Sequence, residues 1–319
     1  MERPLKPIIS PRELAAAIGV SESSLKRWAD DGVIQVTKTA GGHRRITIGE
    51  AIRFVRAVRA PLLRPDLLGL SDLAPLGDDV VSADGPADRL FRYLREGKAR
   101  EARALVLSAY LAGQSVAEIA DGPIREAMEE LGKLWQHDSA GVYVEHRATD
   151  ICVQAVEQLR LLVEPQDGGA IAIGGGAPGD PYLLPPMLAT AALAADGWQA
   201  VNLGPDTPFN ALLAAAERHQ PRVVWLSISS IRDGREIEEG IARLVARLAE
   251  REIAFILGGQ ALSSLALPAI GALRSGKSLS DLIAIANEVR DLRSAGIGDE
   301  SVRPADLAAS PEDSTATRD

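Results

Sequence analysis

Short apolar runs alternate with amphipathic stretches through the second half of the chain. Four runs are continuously apolar and bounded by Gly, Pro or charged residues: 170–173, 200–203, 223–226 and 253–257. The stretches between them have helical periodicity and cover 183–196, 208–219 and 234–250. Strands that are apolar on both faces need helices on both sides, so the alternation predicts a doubly wound parallel sheet over residues 165–295.

The carboxyl ends of these predicted strands are rich in glycine and hydroxyl residues. A doubly wound sheet, whether Rossmann-like or flavodoxin-like, binds its ligand at this edge. The hydroxyls of Ser227 and Ser229 can hydrogen-bond to an inserted group. Gly258 and Gly259 let the backbone approach a phosphate or ribose closely. We therefore expect a ligand site at this edge.

Residues 87–164 carry apolar side chains at steps of three and four. The last stretch shows the pattern in Val144, Ala148, Ile151 and Ala155. This spacing places apolar residues along one side of a helix. Four such helices joined by short loops predict a four-helix bundle, which makes the chain a multidomain α/β protein.

The first sixty residues begin with two predicted helices. Ser10 followed by Pro11 marks the start of the first helix, and Gly19 ends it. Ser21 caps the second helix, which carries basic residues on its outer side. Two helices joined by a glycine turn are typical of a helix-turn-helix.

A basic hairpin is expected to follow these helices. Two short strands are predicted over 33–36 and 45–48, joined by a glycine-rich tip at 38–44. Such a tip can place backbone amides and arginines against phosphates. The order of elements predicts a winged helix-turn-helix that binds DNA over residues 1–60.

Two segments lack the pattern of a core. Residues 61–86 contain several prolines and glycines and are predicted to be a linker. Residues 296–319 contain too few apolar side chains to bury and are predicted to be a disordered tail.

Charge is distributed unevenly along the 319 residues, whose net charge is −9. The first sixty residues hold eleven basic and six acidic residues, a net +5, which leaves −14 for the rest. A basic head on an acidic body fits a modular nucleic-acid binder. The single cysteine excludes an internal disulfide. With neither an apolar run long enough to span a membrane nor a secretory signal, we expect a cytoplasmic protein.

The N-terminal motifs resemble those of the MerR family. They are Ile18-Gly19-Val20, Leu25-Lys26-Arg27-Trp28, Gly32-Val33-Ile34 and Gly42-His43-Arg44-Arg45. Members of that family bind as dimers to palindromic promoter DNA. The resemblance, with the exposed side of the second helix and the basic tip, implies these DNA contacts: Ser23, Lys26, Arg27, Lys38, His43, Arg44 and Arg45.

The rest of the chain resembles the light-sensing, cobalamin-binding repressors of carotenoid genes. Their Trp and Glu-His pair, which cap the upper face of the corrin, correspond to Trp135, Glu145 and His146. Their acid-x-His-x-x-Gly loop, Ser-x-Ser element and Gly-Gly pair correspond to 180–185, 227–229 and 258–259. The resemblance implies these cofactor contacts in the sheet: Asp180, Tyr182, Thr207, Ser227, Ser229, Gly258 and Gly259.

One departure from this pattern affects the expected cofactor. Tyr182 stands where the family has its cobalt-ligating histidine, and a neutral phenol is a poor ligand for a transition metal. Three alternatives follow: cobalamin (as adenosylcobalamin in the family) bound base-on, another tetrapyrrole such as haem or a bilin like biliverdin, or loss of the ligand. The second alternative would use Trp135, Glu145, His146 and Tyr182. No metal ligand is assigned.

Two classes of function remain. The first is a transcriptional regulator, a repressor by resemblance, whose DNA affinity and assembly as a dimer or tetramer respond to a tetrapyrrole or to light. The second is a subunit of a cobalamin-dependent enzyme. The basic head favours the regulator because an enzyme has no need of it, and no catalytic residue is identified.

Overall fold

The computed structural model describes residues 7–73, 84–134, 139–163, 168–267 and 273–295. Trp135 and the predicted disordered tail 296–319 lie outside the described residues. Within the described part of the chain, no helix is both long and apolar enough to cross a membrane.

The N-terminal unit packs three helices against a small antiparallel sheet with strand order β1-β3-β2. Its elements are β1 Ile8–Ile9, α1 Pro11–Ile18, α2 Glu22–Asp30, β2 Thr37–Lys38, β3 Arg44–Thr47 and α3 Ile48–Val58. The predicted caps are present: the Ser10 side chain accepts from the Glu13 amide, and the Ser21 side chain accepts from the Ser24 amide.

The predicted strand 33–36 is wrong, because side chains of α3 take up the polar groups of this segment. The amide of Gln35 donates to the buried carboxylate of Glu50 at 2.6 Å. Arg53 of the same helix donates to the carbonyl of Val33 at 3.0 Å. The hairpin strand therefore begins later, at Thr37.

The second predicted strand, 45–48, ends one residue early. The Thr47 side chain accepts from the Glu50 amide and caps α3, so that Ile48 is the first residue of the helix.

The first part of the predicted linker is packed structure. It forms two turns of 3-10 helix, Pro65–Leu68 and Ser71–Leu73, and the amide of Leu63 donates to the carbonyl of Ala17. Leu68 is fully buried. Proline and glycine here therefore mark turns within a packed segment, and not a free tether.

Four helical stretches form the bundle. Their elements are α4 Pro86–Glu96, α5 Ala99–Leu111, α6 Val116–Ile119, a π-helical turn Ala120–Ile124, α7 Arg125–Leu134 and α8 Ser139–Leu162. The π turn joins α6 to α7, so the bundle has four members as predicted. Cys152 of α8 is 2% exposed, and burial raises the pKa of its thiol to about 12.

The N-terminal unit rests directly on this bundle. The guanidinium of Arg56 in α3 lies 3.7 Å from the ring centroid of Tyr110 in α5. It also donates to the carbonyls of Tyr110 and Gln114 at the end of that helix. Burial raises the pKa of Tyr110, and the nearby Arg56 opposes that rise. One apolar cluster runs from Ile9 through the bundle to Ala192.

The C-terminal sheet is parallel, with strand order β5-β4-β6-β7-β8. Its elements are β4 Ile171–Gly176, α9 Leu184–Ala195, β5 Gln199–Asn202, α10 Phe209–His219, β6 Val223–Ser227, α11 Gly234–Ala249, β7 Ala254–Gly258, a 3-10 turn Gln260–Ser264, β8 Leu273–Ser275 and α12 Leu279–Ala295. This is the flavodoxin-like order of a doubly wound sheet, and it confirms the predicted architecture of this half.

Asp121, in the π turn, connects the bundle to the sheet domain. Its carboxylate accepts hydrogen bonds from the amides of Leu279 and Ser280, at 2.8 and 2.9 Å. It also accepts one from the Ser280 hydroxyl at 2.7 Å. Amides in the first turn of a helix have no intrahelical acceptor, so Asp121 satisfies two such donors of α12 from another domain.

Replacing Asp121 with Ala is expected to lower the free energy of unfolding by about 1–2 kcal/mol, since it leaves these donors without their acceptor. Urea denaturation of the full chain measures the change. Glu126→Ala is the matched control, because it removes an exposed carboxylate from the next helix of the same stretch. Equal stability of the two variants would contradict the capping role.

Candidate functional site

The candidate ligand site lies where the strands of the parallel sheet end. The strand order reverses between β4 and β6, because the chain adds β5 on one side of β4 and β6 on the other, and such a point leaves a crevice between the loops that follow the two strands. We call this the β4–β6 crevice; the loop after β4, residues 177–183, lines one side of it, and Ser227–Ser229 lines the other.

Asp180, a predicted cofactor contact, is 1% exposed and directs its carboxylate to backbone amides. One oxygen accepts from Ser229 at 2.6 Å, and the other accepts from Tyr182 at 3.1 Å. The Asp180 carbonyl accepts from the amide of Asp206. Asp180 therefore joins the loop after β4 to both neighbouring loops.

Thr207 and Ser227 are also buried. The Thr207 hydroxyl donates to the carbonyl of Gly204 at 3.0 Å. The carbonyl of Ser227 accepts from the amide of Ala177 at 2.9 Å, which links the ends of β6 and β4. Thr207 lies on the β5 side of β4 and Ser227 at the end of β6, and these polar groups are bonded to protein.

The two glycines at the end of β7 have different surroundings. Gly258 ends the strand, and a side chain there would meet only a carbonyl oxygen at 3.7 Å. Gly259 has a φ of +108°, and a Cβ at this position would lie 2.3 Å from the carbonyl oxygen of Ile228. Close approach to Ile228 already requires Gly259, whether or not a ligand binds.

Tyr182 and Leu183 are exposed apolar residues at this edge, and Leu203, which follows β5, is exposed as well. Tyr182, which the resemblance aligns with the histidine of the light-sensing repressors, is 44% exposed, and Leu183 beside it is 41% exposed. None of the four histidines of the sequence lies in this loop. Within the described residues, no group of three His, Cys, Asp or Glu could hold a metal ion.

The predicted upper-face residues lie on the first turns of α8. Glu145 is half-buried and His146 is exposed on this helix. Tyr143, one turn before Arg147, is exposed and accepts a hydrogen bond from its guanidinium. Trp135, the third predicted member of this set, lies outside the described residues.

The N-terminal unit presents a second candidate site, made of cations. Lys26, Arg27 and Lys38 are exposed, Arg45 is half-buried, and none makes an ion pair within the described residues. His43 lies exposed at the tip of the hairpin. These five predicted DNA contacts are available to an anion.

The two remaining predicted contacts are engaged within the protein. Arg44 forms an ion pair with Asp30 at 2.5 Å and donates to the carbonyl of Lys26. Ser23 shares a hydrogen bond of 2.8 Å with the capping Ser21. Arg44 therefore connects the hairpin to the end of α2.

A groove of about 330 Å³ lies between α1, α2 and the hairpin. Arg12 at the start of α1 lines it together with Lys26 and Arg45. Sequence analysis did not identify Arg12 or Asp30 as site residues, because neither belongs to a motif. Only the packing of α1 and β3 against α2 brings Arg12 to this groove and Asp30 to Arg44.

Residues 86–160 match the family model of the B12 binding domain. The match covers the helices of the bundle, from α4 through most of α8, so this part of the chain is a B12 binding domain. No curated protein is a significant match to this chain.

Three solved structures share features with the chain at low identity. The monomethylamine corrinoid protein of Methanosarcina barkeri is 21% identical, with a TM-score of 0.49 over 64% of this chain and 98% of its own. The methanol:cobalamin methyltransferase complex of the same organism is 19% identical, with a TM-score of 0.32 over 75% and 92%. A cobalamin-binding protein of Desulfitobacterium hafniense is 14% identical, with a TM-score of 0.33 over 64% and 98%. Similarity at this level does not define the function of this chain.

The chemistry of the edge fits a tetrapyrrole in part. Tyr182 and Leu183 offer exposed apolar surface on which a flat ring system can rest. Residues 177–183 contain no histidine, and a neutral phenol such as that of Tyr182 is a poor ligand for a transition metal.

Proposed function

We propose that this protein is a DNA-binding transcriptional regulator whose DNA affinity and oligomeric state are controlled by a tetrapyrrole. The observation that carries the proposal is a set of cations on α2 and the hairpin that make no ion pair within the described residues, in a unit that packs directly on a B12 binding domain. An enzyme subunit has no need of such a cationic unit. The resemblance to the MerR family supports double-stranded promoter DNA with a palindromic operator as the partner.

The arrangement of the cations supports a duplex as their ligand. Lys26 and Arg27 lie on the exposed side of α2, and Lys38 lies on the hairpin that follows. A helix that enters the major groove beside a hairpin on the backbone contacts phosphates and base edges together. A tetrapyrrole bound at the bundle and the sheet edge would supply a light-absorbing ring that can respond to illumination.

The packing between the two units supports control by assembly. Arg56 of the N-terminal unit contacts Tyr110 and Gln114 of the bundle, so a change in the bundle reaches the DNA-binding unit through direct contact. We propose that the protein binds its operator as a dimer or tetramer in one ligand state and dissociates in the other.

Gel retardation and size-exclusion chromatography of the purified full chain test the proposal. The operator is selected from a pool of random duplexes by its binding to the protein. Each measurement is made with cobalamin, haem or biliverdin, in the dark and after illumination. We expect retardation that weakens with salt and changes with one of these ligands. Failure to retard any duplex at low salt would overturn the regulator and favour the enzyme-subunit alternative.

The pair of Arg44 and Asp30 provides a further prediction. Asp30→Asn releases Arg44, so DNA binding should tighten roughly two- to tenfold, and the slope of affinity against salt should steepen by about one. Arg44→Ala should change both quantities in the opposite direction. Fluorescence anisotropy of a labelled duplex at several salt concentrations measures them.

Asp31→Asn is the control for this pair. It removes the same charge one residue away, from an exposed aspartate that makes no ion pair within the described residues. An unchanged salt slope in both the Asp30 and Arg44 variants would show that Arg44 only connects the hairpin to α2.

A further inference from the structure

The β4–β6 crevice is bridged by the protein itself. The Ala177 amide donates to the carbonyl of Ser227 at 2.9 Å, directly across the two strand ends. Further out, the Ser229 amide donates to the Asp180 carboxylate at 2.6 Å. A nucleotide tail that entered between these strands would have to break both hydrogen bonds, and buried polar groups without partners are strongly disfavoured.

The other side of the same loop is joined in a similar way. The amide of Gly176 donates to the carbonyl of Gly204 at 2.8 Å. The amide of Gly179 donates to the carboxylate of Asp206 at 2.6 Å, and the amide of Asp206 donates back to the Asp180 carbonyl. The loop after β4 is thereby fixed between its two neighbours.

The neighbouring strand ends, those of β6 and β7, are also joined by backbone contacts. Gly259 approaches Ile228 so closely that a Cβ would lie within 2.6 Å of three backbone atoms of that residue. The amide of Ile228 donates to Gly258, and its carbonyl accepts from Ala261. The small residues at these strand ends are explained by contacts within the protein.

We propose that the tetrapyrrole of this chain contacts the sheet edge through its ring system alone, with no nucleotide tail inserted in the β4–β6 crevice and no metal ligand from residues 177–183. This inference rests on the proposed function and specifies its ligand. The exposed side chains of Tyr182 and Leu183 provide the surface for the ring. Cobalamin then binds with its own base on the metal, and a tetrapyrrole without a tail is equally acceptable.

The test compares aquacobalamin with cobinamide, which has the same corrin but lacks the nucleotide. Isothermal titration of each into the full chain should give dissociation constants equal within about threefold. Haem and biliverdin are titrated in parallel. Binding of either of these, without binding of the corrinoids, also supports the inference because neither carries a nucleotide tail.

A spectroscopic readout identifies the axial ligand. After reduction to cobalt(II), the nitrogen of cobalamin's own base splits each cobalt hyperfine line into three in the electron paramagnetic resonance spectrum. Uniform ¹⁵N labelling of the protein should leave this splitting unchanged. Tyr182→Phe should leave the spectrum unchanged, since it removes the phenol oxygen and keeps the ring.

Two results would overturn the inference while the proposed function stands. One is binding of cobalamin at least about tenfold tighter than cobinamide. The other is loss of the threefold splitting on binding, or a splitting that changes with ¹⁵N-labelled protein, because either shows that a protein group has replaced the base on cobalt. If none of the four tetrapyrroles binds, the proposed tetrapyrrole sensing fails, and the inference fails with it.

Discussion

Reversing the charge of Lys26 and Arg27 to Glu should reduce DNA affinity by roughly a hundredfold or more at low salt. Both side chains are exposed on α2, and neither has an ion-pair partner within the described residues. Each reversal removes a favourable phosphate contact and adds a repulsive one. Gel retardation with the selected duplex measures the loss, and the slope of affinity against salt should flatten at the same time.

The control for this double variant is charge reversal at Arg125 and Arg218. These arginines are exposed on α7 and α10, away from the hairpin, and make no ion pair within the described residues. The two double variants have the same net charge. If both lose affinity equally, the effect comes from overall charge, and α2 is not the DNA-contacting helix.

Substituting Gly174 with Ala is expected to have the largest effect on stability. Gly174 lies in β4, and a Cβ there would lie 2.1 Å from the indole of Trp225 and 2.2 Å from its carbonyl oxygen in the neighbouring strand. Real side chains do not tolerate such distances, so β4 and β6 would have to separate. We expect a loss of about 3 kcal/mol or more in the free energy of unfolding.

Chemical denaturation followed by tryptophan fluorescence measures this loss, since Trp198 and Trp225 are buried in the sheet domain. Gly132→Ala is the matched control. Gly132 lies within α7, and apart from its own helix no described residue lies within 4 Å of its Cβ position, so alanine should stabilise the chain by up to about 1 kcal/mol. Equal stability of the two variants would contradict the packing described for β4.

The architecture of the C-terminal half follows from local pattern. Long apolar runs such as 223–226 are buried on both faces of the sheet, and the composition of a run reflects that burial directly. The fifth strand, Leu273–Ser275, was not predicted because it has three residues and only Leu273 is apolar. Pairing with β7 decides its conformation, and the sequence of the strand itself carries no sign of that pairing.

The sequence predicted where the candidate site residues lie, but it did not predict the hydrogen bonds and ion pairs that they form. The exposure of Tyr182 agrees with a residue that faces a ligand. The bonding of Asp180 and Arg44 could not be inferred, since their partners Ser229 and Asp30 are distant in sequence and meet only after folding. The segment 33–36 has the composition of a strand, but side chains from α3 bind its polar groups.

The buried position of Cys152 makes this residue a reporter of local opening of the bundle. A thiol with a pKa of about 12 in the packed interior stays protonated and out of reach of alkylating reagents. Since it is the only cysteine of the chain, the rate at which it is alkylated measures how often α8 leaves its neighbours. A small molecule that stabilises the packed helices would slow the alkylation rate. This measurement would therefore detect a ligand that has no visible absorbance.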